Sequence, residues 1–292
     1  MIRPLLALLL AIVALGPSAR GFTPNVEEIA LATLAKNHPG QQRATMVYDP
    51  ILSMVARFRA LDLGRRAYFA HVDPDGYAAN KDVQLAGYVL PASYGNANAT
   101  NSIESLGAGY FTAVDAFNGW VADPPHRQHV LGETAFYAQQ TRYGMGYANV
   151  PGSPWTDYWV FITAPPNALG DNRLEPYSEW LFDWFRPVQI ASQNDGSDTD
   201  VDGIPRLVEF ALDLNPTRPS SLAPPVVNRA ANRLEWRPSL RPDLGAVVAE
   251  IQHSSSLAPA SWTTSGVTNT GGLYSIPLGL RADFLRLRVQ RP

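Results

Sequence analysis

Apolar residues recur at helical spacing after Asp49-Pro50, with Ile51, Leu52, Val55 and Phe58 on one side and Arg57, Arg59, Arg65 and Arg66 assigned to the other. Aspartate is a good N-cap and proline suits the first helical position, so the pattern predicts a helix from Asp49 to near Ala67. Asp73-Pro74-Asp75-Gly76 then supplies turn chemistry. His71 therefore falls between a rigid element and a tight reversal, a common address for a functional side chain. The competing reading is a histidine that bonds the last free carbonyls of the helix.

The same reasoning orders the rest of the first half. Asn25-Val26-Glu27-Glu28 reads as an N-cap with a carboxylate three residues on, opening a helix through Leu31 and Leu34 that stops around Asn37-His38-Pro39-Gly40. Residues 82–101 read as loop, punctuated by Gly87, Pro91, Gly95, Asn96 and Asn98, and Glu104 is expected in the loop that follows. Thr112 and Asp115 open a helix carrying Val114, Phe117, Trp120 and Val121 into the core. Proline at Asp123-Pro124-Pro125 is expected to break it, leaving His126 just beyond, with His129 as a spare histidine for the cleft or for packing. Strands are predicted over 143–148 and 158–163, an antiparallel pair, before Ala164-Pro165-Pro166 closes the unit. The fold class is α+β.

Past Pro166 the pattern changes. Residues 167–176 read as a polar linker, and Tyr177, Trp180, Leu181, Phe182, Trp184 and Phe185 as a short aromatic helix. From Pro224 onward, alternation in Leu234-Glu235-Trp236, 246–252, Tyr274-Ser275-Ile276 and 284–289 predicts strands of a small all-β unit, with Arg286 and Arg288 on a wet face.

Composition narrows the function classes. A chain of 292 residues is long enough for two domains. Its formal charge of -3, and the absence of Lys/Arg blocks, give no electrostatic reason for a nucleic-acid partner. Arg3 precedes an apolar run over 5–15 that is too short to span a bilayer, and Ala19-Arg20-Gly21 offers small residues for a signal peptidase. Residues 1–21 are therefore expected to be a secretory signal peptide, and no later stretch is apolar enough to span a bilayer. A secreted or cell-envelope location follows. With no cysteine, stability must come from the core and any bound metal.

Several of these segments follow one another in a recognisable order: Tyr68-Phe69-Ala70-His71-Val72-Asp73-Pro74-Asp75-Gly76, Ala86-Gly87-Tyr88, Ile103-Glu104-Ser105-Leu106-Gly107, Gly119-Trp120, Pro125-His126-Arg127, Tyr143-Gly144-Met145-Gly146 and Tyr158-Trp159-Val160. In this the chain resembles bacterial CAP (SCP-like) domains, the superfamily of cysteine-rich secretory proteins, antigen 5 and pathogenesis-related proteins. The resemblance covers roughly Val26 to Pro165, within a 22–166 unit. It implies an α-β-α sandwich with an open cleft where two histidines and acidic residues converge and where some members bind a divalent metal. Carried over, His71 is similar to the first cleft histidine, Glu104 to the glutamate of the Gly-Glu-Asn motif, and His126 to the histidine of the Ser-Pro-Gly-His-Arg motif. Ile103 and Ser105 flank Glu104 in place of glycine and asparagine, and Asp123-Pro124-Pro125 stands where Ser-Pro-Gly is usual. The second acidic residue and later histidine of eukaryotic members have no counterpart.

Two imidazoles, His71 and His126, would hold Zn2+ or another divalent ion weakly, because stable sites use three or more protein ligands. Glu104 beside them is a candidate general base. No Gly-x-Ser-x-Gly, His-Glu-x-x-His or cysteine nucleophile is present. The leading reading is a secreted, non-catalytic or weakly catalytic protein whose cleft binds a small-molecule, lipid or envelope ligand or an ion. The alternatives are a metal-assisted hydrolase of envelope polymer or peptide, with Glu104 as base, and lipid or sterol carriage.

Residues 167–223 add a second candidate. Asp198-Thr199-Asp200-Val201-Asp202-Gly203-Ile204-Pro205-Arg206-Leu207-Val208-Glu209 matches a twelve-position calcium loop. Acids stand at positions one, three and five, glycine at six, a backbone carbonyl from Ile204 at seven and a bidentate-capable Glu209 at twelve. Arg206 at position nine accepts no hydrogen bond, so a ligand there would be water. Isolated modules of this kind bind Ca2+ at about 10⁻⁴ to 10⁻³ M, which suits a structural clamp outside the cell. The expected organisation is 1–21 signal peptide, 22–166 CAP-like unit, 167–223 linker with calcium loop, and 224–292 β unit.

Overall fold

The computed structural model describes residues 22–170, 173–279 and 282–292. The expected signal peptide lies outside them. The chain is α+β, with helices and several sheets.

The first half centres on a four-stranded sheet of order β1-β3-β4-β2, built from Val47–Tyr48 (β1), Glu104–Ala108 (β2), Arg142–Asn149 (β3) and Asp157–Ala164 (β4). β4 is antiparallel to both neighbours, and β1 joins β3 in parallel. Every residue of β4 is buried, because alternate side chains serve two cores. Tyr158, Val160 and Ile162 enter a core with Leu52, Val55 and Leu63 of helix α2 (Pro50–Arg65). Trp159 and Phe161 enter another with Leu31 of α1 (Val26–Asn37) and with Phe117 and Trp120 of α4 (Ala113–Ala122). Helices thus cover both faces of the sheet.

Local chemistry sets the helix starts. Asn25 and Glu28 form a complete capping box on α1, and the Asp49 side chain accepts from the amides of Ile51 and Leu52 at the head of α2. α2 ends at Arg65, after which Ala67 turns left-handed at φ 54°. Two glycines let α2 lie directly on β3. A Cβ on Gly144 would sit 2.2 Å from the Leu52 carbonyl carbon, and one on Gly146 would sit 2.1 Å from that of Ala56.

Four expectations for the first half need correction. The stretch read as loop over 82–101 begins inside a helix, α3 (Ala79–Leu85), which has no side-chain cap at Ala78 and so no sequence flag at its start. Glu104 is the first residue of β2, paired with Ile162, rather than a loop residue. Pro124-Pro125 does not leave His126 in a loop: proline is tolerated in the first turn, and the pair opens α5 (Pro124–Leu131), with His126 in that turn. Val114, expected in the core, is half exposed. A short α6 (Ala135–Ala138) leads into β3.

The aromatic segment forms α7 (Pro176–Trp184), followed by α8 (Pro187–Ser192) and α9 (Arg206–Ala211). Tyr177, Trp180, Phe182, Phe185 and Phe210 join the α2-side core, with the Phe182 ring edge-on to Phe58 of α2 at 5.1 Å. The remaining strands are Val226–Asn228 (β5), Arg233–Trp236 (β6), Val248–Ser254 (β7), Thr268–Thr270 (β8), Leu273–Pro277 (β9) and Phe284–Gln290 (β10). They form a four-stranded sheet of order β5-β6-β9-β8 and a β7-β10 pair. On β10 Arg288 is exposed, whereas Arg286 lies over the Trp262 ring and bonds Gln252. One of the two arginines expected on a wet face is therefore used for packing.

Gly146→Ala should push α2 off the sheet. Because the added methyl meets backbone rather than a movable side chain, urea denaturation should show a loss of about 3 kcal/mol, the upper end of ordinary overpacking costs.

Candidate functional site

Helix α2 brings a charge into the core. Arg59 is 1% exposed, contrary to the expectation that it takes the wet face with Arg57, Arg65 and Arg66. It stands four residues after Val55 and seven after Leu52, so helical geometry puts it on the apolar side. Its Nε donates to both oxygens of Glu104 at 2.8 and 2.9 Å, Nη1 to Asp82 of α3 at 3.0 Å, and Nη2 to the backbone carbonyl of His71 at 2.8 Å. One guanidinium thus ties together α2, α3, β2 and the turn that follows α2.

The electrostatics follow from that enclosure. Burial would lower the Arg59 pKa, but Glu104 and Asp82 more than reverse this and raise it, so the guanidinium stays charged. Asp82 is pushed up to about 7 by burial, against the charge of Arg59 and with that of Glu104. Two carboxylates share one cation here.

The His71 side chain reaches the same carboxylate from the open side. Its Nδ1 lies 3.9 Å from Glu104 Oε2, too far for a hydrogen bond, and is buried with no protein hydrogen-bond partner. The rest of the ring is accessible, the side chain being 42% exposed. Its turn is braced from below: Asp75 accepts from Arg66 at 2.5 Å and from Arg186, at the head of α8, at 2.7 Å. His126 is half-buried and its Nδ1 pairs with Asp123 at 2.6 Å, which orients the ring as a carboxylate orients a metal-ligating imidazole.

His129 is no cleft residue. It is buried, with Nδ1 2.7 Å from Ser105 Oγ and Nε2 2.8 Å from Thr163 Oγ1. Thr163 passes the chain on to Gln140 at 2.6 Å. Burial, followed by the charges of Arg43, His126 and His71, lowers the His129 pKa well below the usual imidazole range, so it is neutral. Arg59, Asp82 and the Ser105–His129–Thr163 chain were all missed in the sequence, although the wheel position of Arg59 was a usable signal.

In the tail, ligand oxygens of Asp198, Asp200 and Asp202 lie within 4.8 Å of one another. The loop shapes itself around them: the amides of Asp202 and Gly203 donate to Asp198, and those of Ile204 and Ser220 to Asp202. Gly203 takes φ +88°, a conformation that favours glycine. Both oxygens of Asp200 and both of Glu209 are buried without a hydrogen-bond partner. Glu209, on α9, is 0% exposed, and burial together with Asp200, Asp202 and Asp198 pushes its pKa up to about 7. Orphaned carboxylate oxygens beside three acids fit a hard dication, which prefers oxygen ligands. Arg206 is turned away, donating to Gln193 at 3.2 Å.

No helix among the described residues is long and apolar enough to cross a membrane. Neither a protein-family model nor a curated protein matches the chain. Among solved structures it is similar to an outer surface protein from Borrelia burgdorferi, over 47% of this chain and 90% of that one, at 17% identity and a TM-score of 0.36. It is also similar to an extracellular protein containing a SCP domain from Bacillus anthracis str. Ames, at 19% identity and a TM-score of 0.31. That match covers 47% of this chain and 40% of the other, so the chain spans less than half the length of that protein.

Replacing Arg59 by methionine leaves Glu104 and Asp82 buried without their counter-charge. The expected cost is about 3–5 kcal/mol in chemical denaturation. Lysine should recover only part of it, because it cannot reach three partners through a planar fork.

Proposed function

We propose that the chain is a secreted CAP-domain (SCP-like) protein whose cleft, lined by His71, Glu104 and His126, binds a ligand or divalent ion without performing chemistry on it. The ordered motifs, the helices on both faces of the sheet and the approach of His71 to Glu104 support this reading. The observation that carries it is the engagement of both Glu104 oxygens by Arg59. A general base needs a free lone pair aimed at its proton, and this carboxylate is committed as a counter-charge. The hydrolase alternative would assign the base to Glu104, and the Arg59 contact counts against it.

His126, oriented by Asp123, together with His71 would hold Zn2+ or a similar ion weakly and leave positions open for a ligand. Isothermal titration with Zn2+ should give one weak site that His71→Ala and His126→Ala each weaken at least tenfold. Binding unchanged in both variants would remove the cleft from consideration.

The tail loop is proposed as a structural calcium site, held by Asp198, Asp200, Asp202, the Ile204 carbonyl and Glu209. Glu209 supports this most, since a buried carboxylate with no donor needs a cation. When bound, calcium supplies charge neutralisation and no reaction step. At calcium ten times the dissociation constant, linkage gives about 1.4 kcal/mol, or a melting shift of about 2–3 °C for a chain of this size. A chelator should remove that increment from the native protein and leave Asp200→Ala unmoved; equal melts with and without chelator would refute the site.

A further inference from the structure

The cleft has an uncovered aromatic rim that neither the histidines nor the calcium loop accounts for. Phe69 precedes His71 by two residues, so their Cα atoms are at most about 7.6 Å apart, and Phe69 is 45% exposed. Trp155, 41% exposed, stands beside it with ring centroids 5.5 Å apart at 50°. Beneath Trp155 lies Gly109, just beyond the end of β2, and two residues further on Phe111 is 81% exposed.

These rings are held in place. Trp155 packs edge-on to the buried Tyr158 at 6.2 Å, and the amide of Gly109 donates to the Asp157 carbonyl at 2.9 Å. The Trp159 indole fixes the Tyr110 carbonyl at 2.8 Å, directly before Phe111. Glu104 and Ala108 are the two ends of β2, about 13 Å apart at strand rise. Phe69 and Trp155 therefore form an exposed ring pair next to the His71 turn, with Phe111 two residues beyond the Gly109 that Trp155 covers, and the order of the packed Trp155 costs little on binding.

Charge decides what such rings would hold. Residues 67–73, 105–115 and 150–158 contain no lysine or arginine and three aspartates, Asp73, Asp115 and Asp157. Arg66, just before the first segment, is spent on Asp62 and Asp75. Membrane-surface sites pair apolar residues with cations for anionic headgroups, and anionic polymers need the same cations. An uncharged chain with flat apolar faces and a hydroxyl edge meets neither objection. The C–H face of a pyranose lies against the electron-rich face of an aromatic ring, and Asp73 and Asp157 are buried and already hydrogen-bonded, so they add no exposed charge beside the rings.

We propose that Phe69, Trp155 and Phe111 form a stacking platform for a neutral polysaccharide that runs past the His71 cleft. This names the ligand class of the cleft proposed above and so rests on that reading.

The probes are chitohexaose and cellohexaose, both uncharged, titrated into the full chain with tryptophan fluorescence and calorimetry as readouts. At least one should bind, and the Phe69→Ala/Trp155→Ala double variant, altered only at exposed rings, should bind at least tenfold more weakly with an unchanged melting temperature. Phe111→Ala should weaken binding on its own. The platform is overturned if neither hexasaccharide binds the native protein at millimolar concentration or if the double variant binds as the native chain does. It is equally overturned if the double variant abolishes only attachment to anionic vesicles or only self-association in sedimentation. The histidine variants separate the two readings. Glycan binding lost in the ring variants but retained in His71→Ala/His126→Ala, with Zn2+ uptake also unaffected by the latter, keeps the platform and removes the cleft. Glycan binding weakened by the histidine pair alone keeps the cleft and removes the platform.

Discussion

A guanidinium sealed among carboxylates is the constraint on which the first half of this protein depends. Taking Arg59 out of water costs several kcal/mol, and so does burying Glu104 and Asp82. The arrangement persists because Arg59 donates to both Glu104 oxygens and to Asp82 Oδ2 at 2.8–3.0 Å, while Asp82 Oδ1 is buried without a hydrogen-bond partner. Its partners come from four separate places in the chain: α2, α3, β2 and the turn carrying His71. The cluster therefore makes their mutual placement a condition of burial. Stability and the surroundings of His71 cannot be varied separately here, because the carboxylate facing His71 is the one that neutralises Arg59.

This dependence explains what the sequence could reveal. Elements defined by strong local chemistry were legible: the Asn25 and Asp49 caps, the antiparallel β3-β4 pair and the aromatic helix all rest on residues close together in the chain. What depended on distant partners was not. Arg59 looks like a solvated arginine until Glu104, 45 residues away, is brought beside it. Helix α3 has no cap to announce it, and its Asp82 gains a role only by facing Arg59. His129 was ambiguous because burial, not sequence position, decides between cleft and core. The placement of His126 failed on a finer point: proline stops one helix and starts another equally well, and only the path of the chain past Asp123 tells which.

The tail is joined to this arrangement by aromatic contacts rather than by charge alone. Phe210 of α9, next to Glu209, lies 5.0 Å from Tyr177 and 5.8 Å from Trp180 of α7, and Phe182 of the same helix meets Phe58 beside Arg59. Arg186 adds one ionic link to Asp75 in the His71 turn. The acidic loop is thus packed onto the α2-side core through Phe210, the residue after the buried Glu209. Order in that loop and order in the core share one helix.

The glycine pair on β3 decides where movement can occur. With Gly144 and Gly146 facing Leu52 and Ala56, the backbone of α2 rests on the backbone of the strand, and close-packed atoms of that kind do not slide or roll without opening a void. Arg59, less than one turn beyond Ala56, therefore keeps a fixed height above the sheet. The 66–78 reversal, which carries the left-handed Ala67 and Gly76, is tied to that fixed cation through the His71 carbonyl.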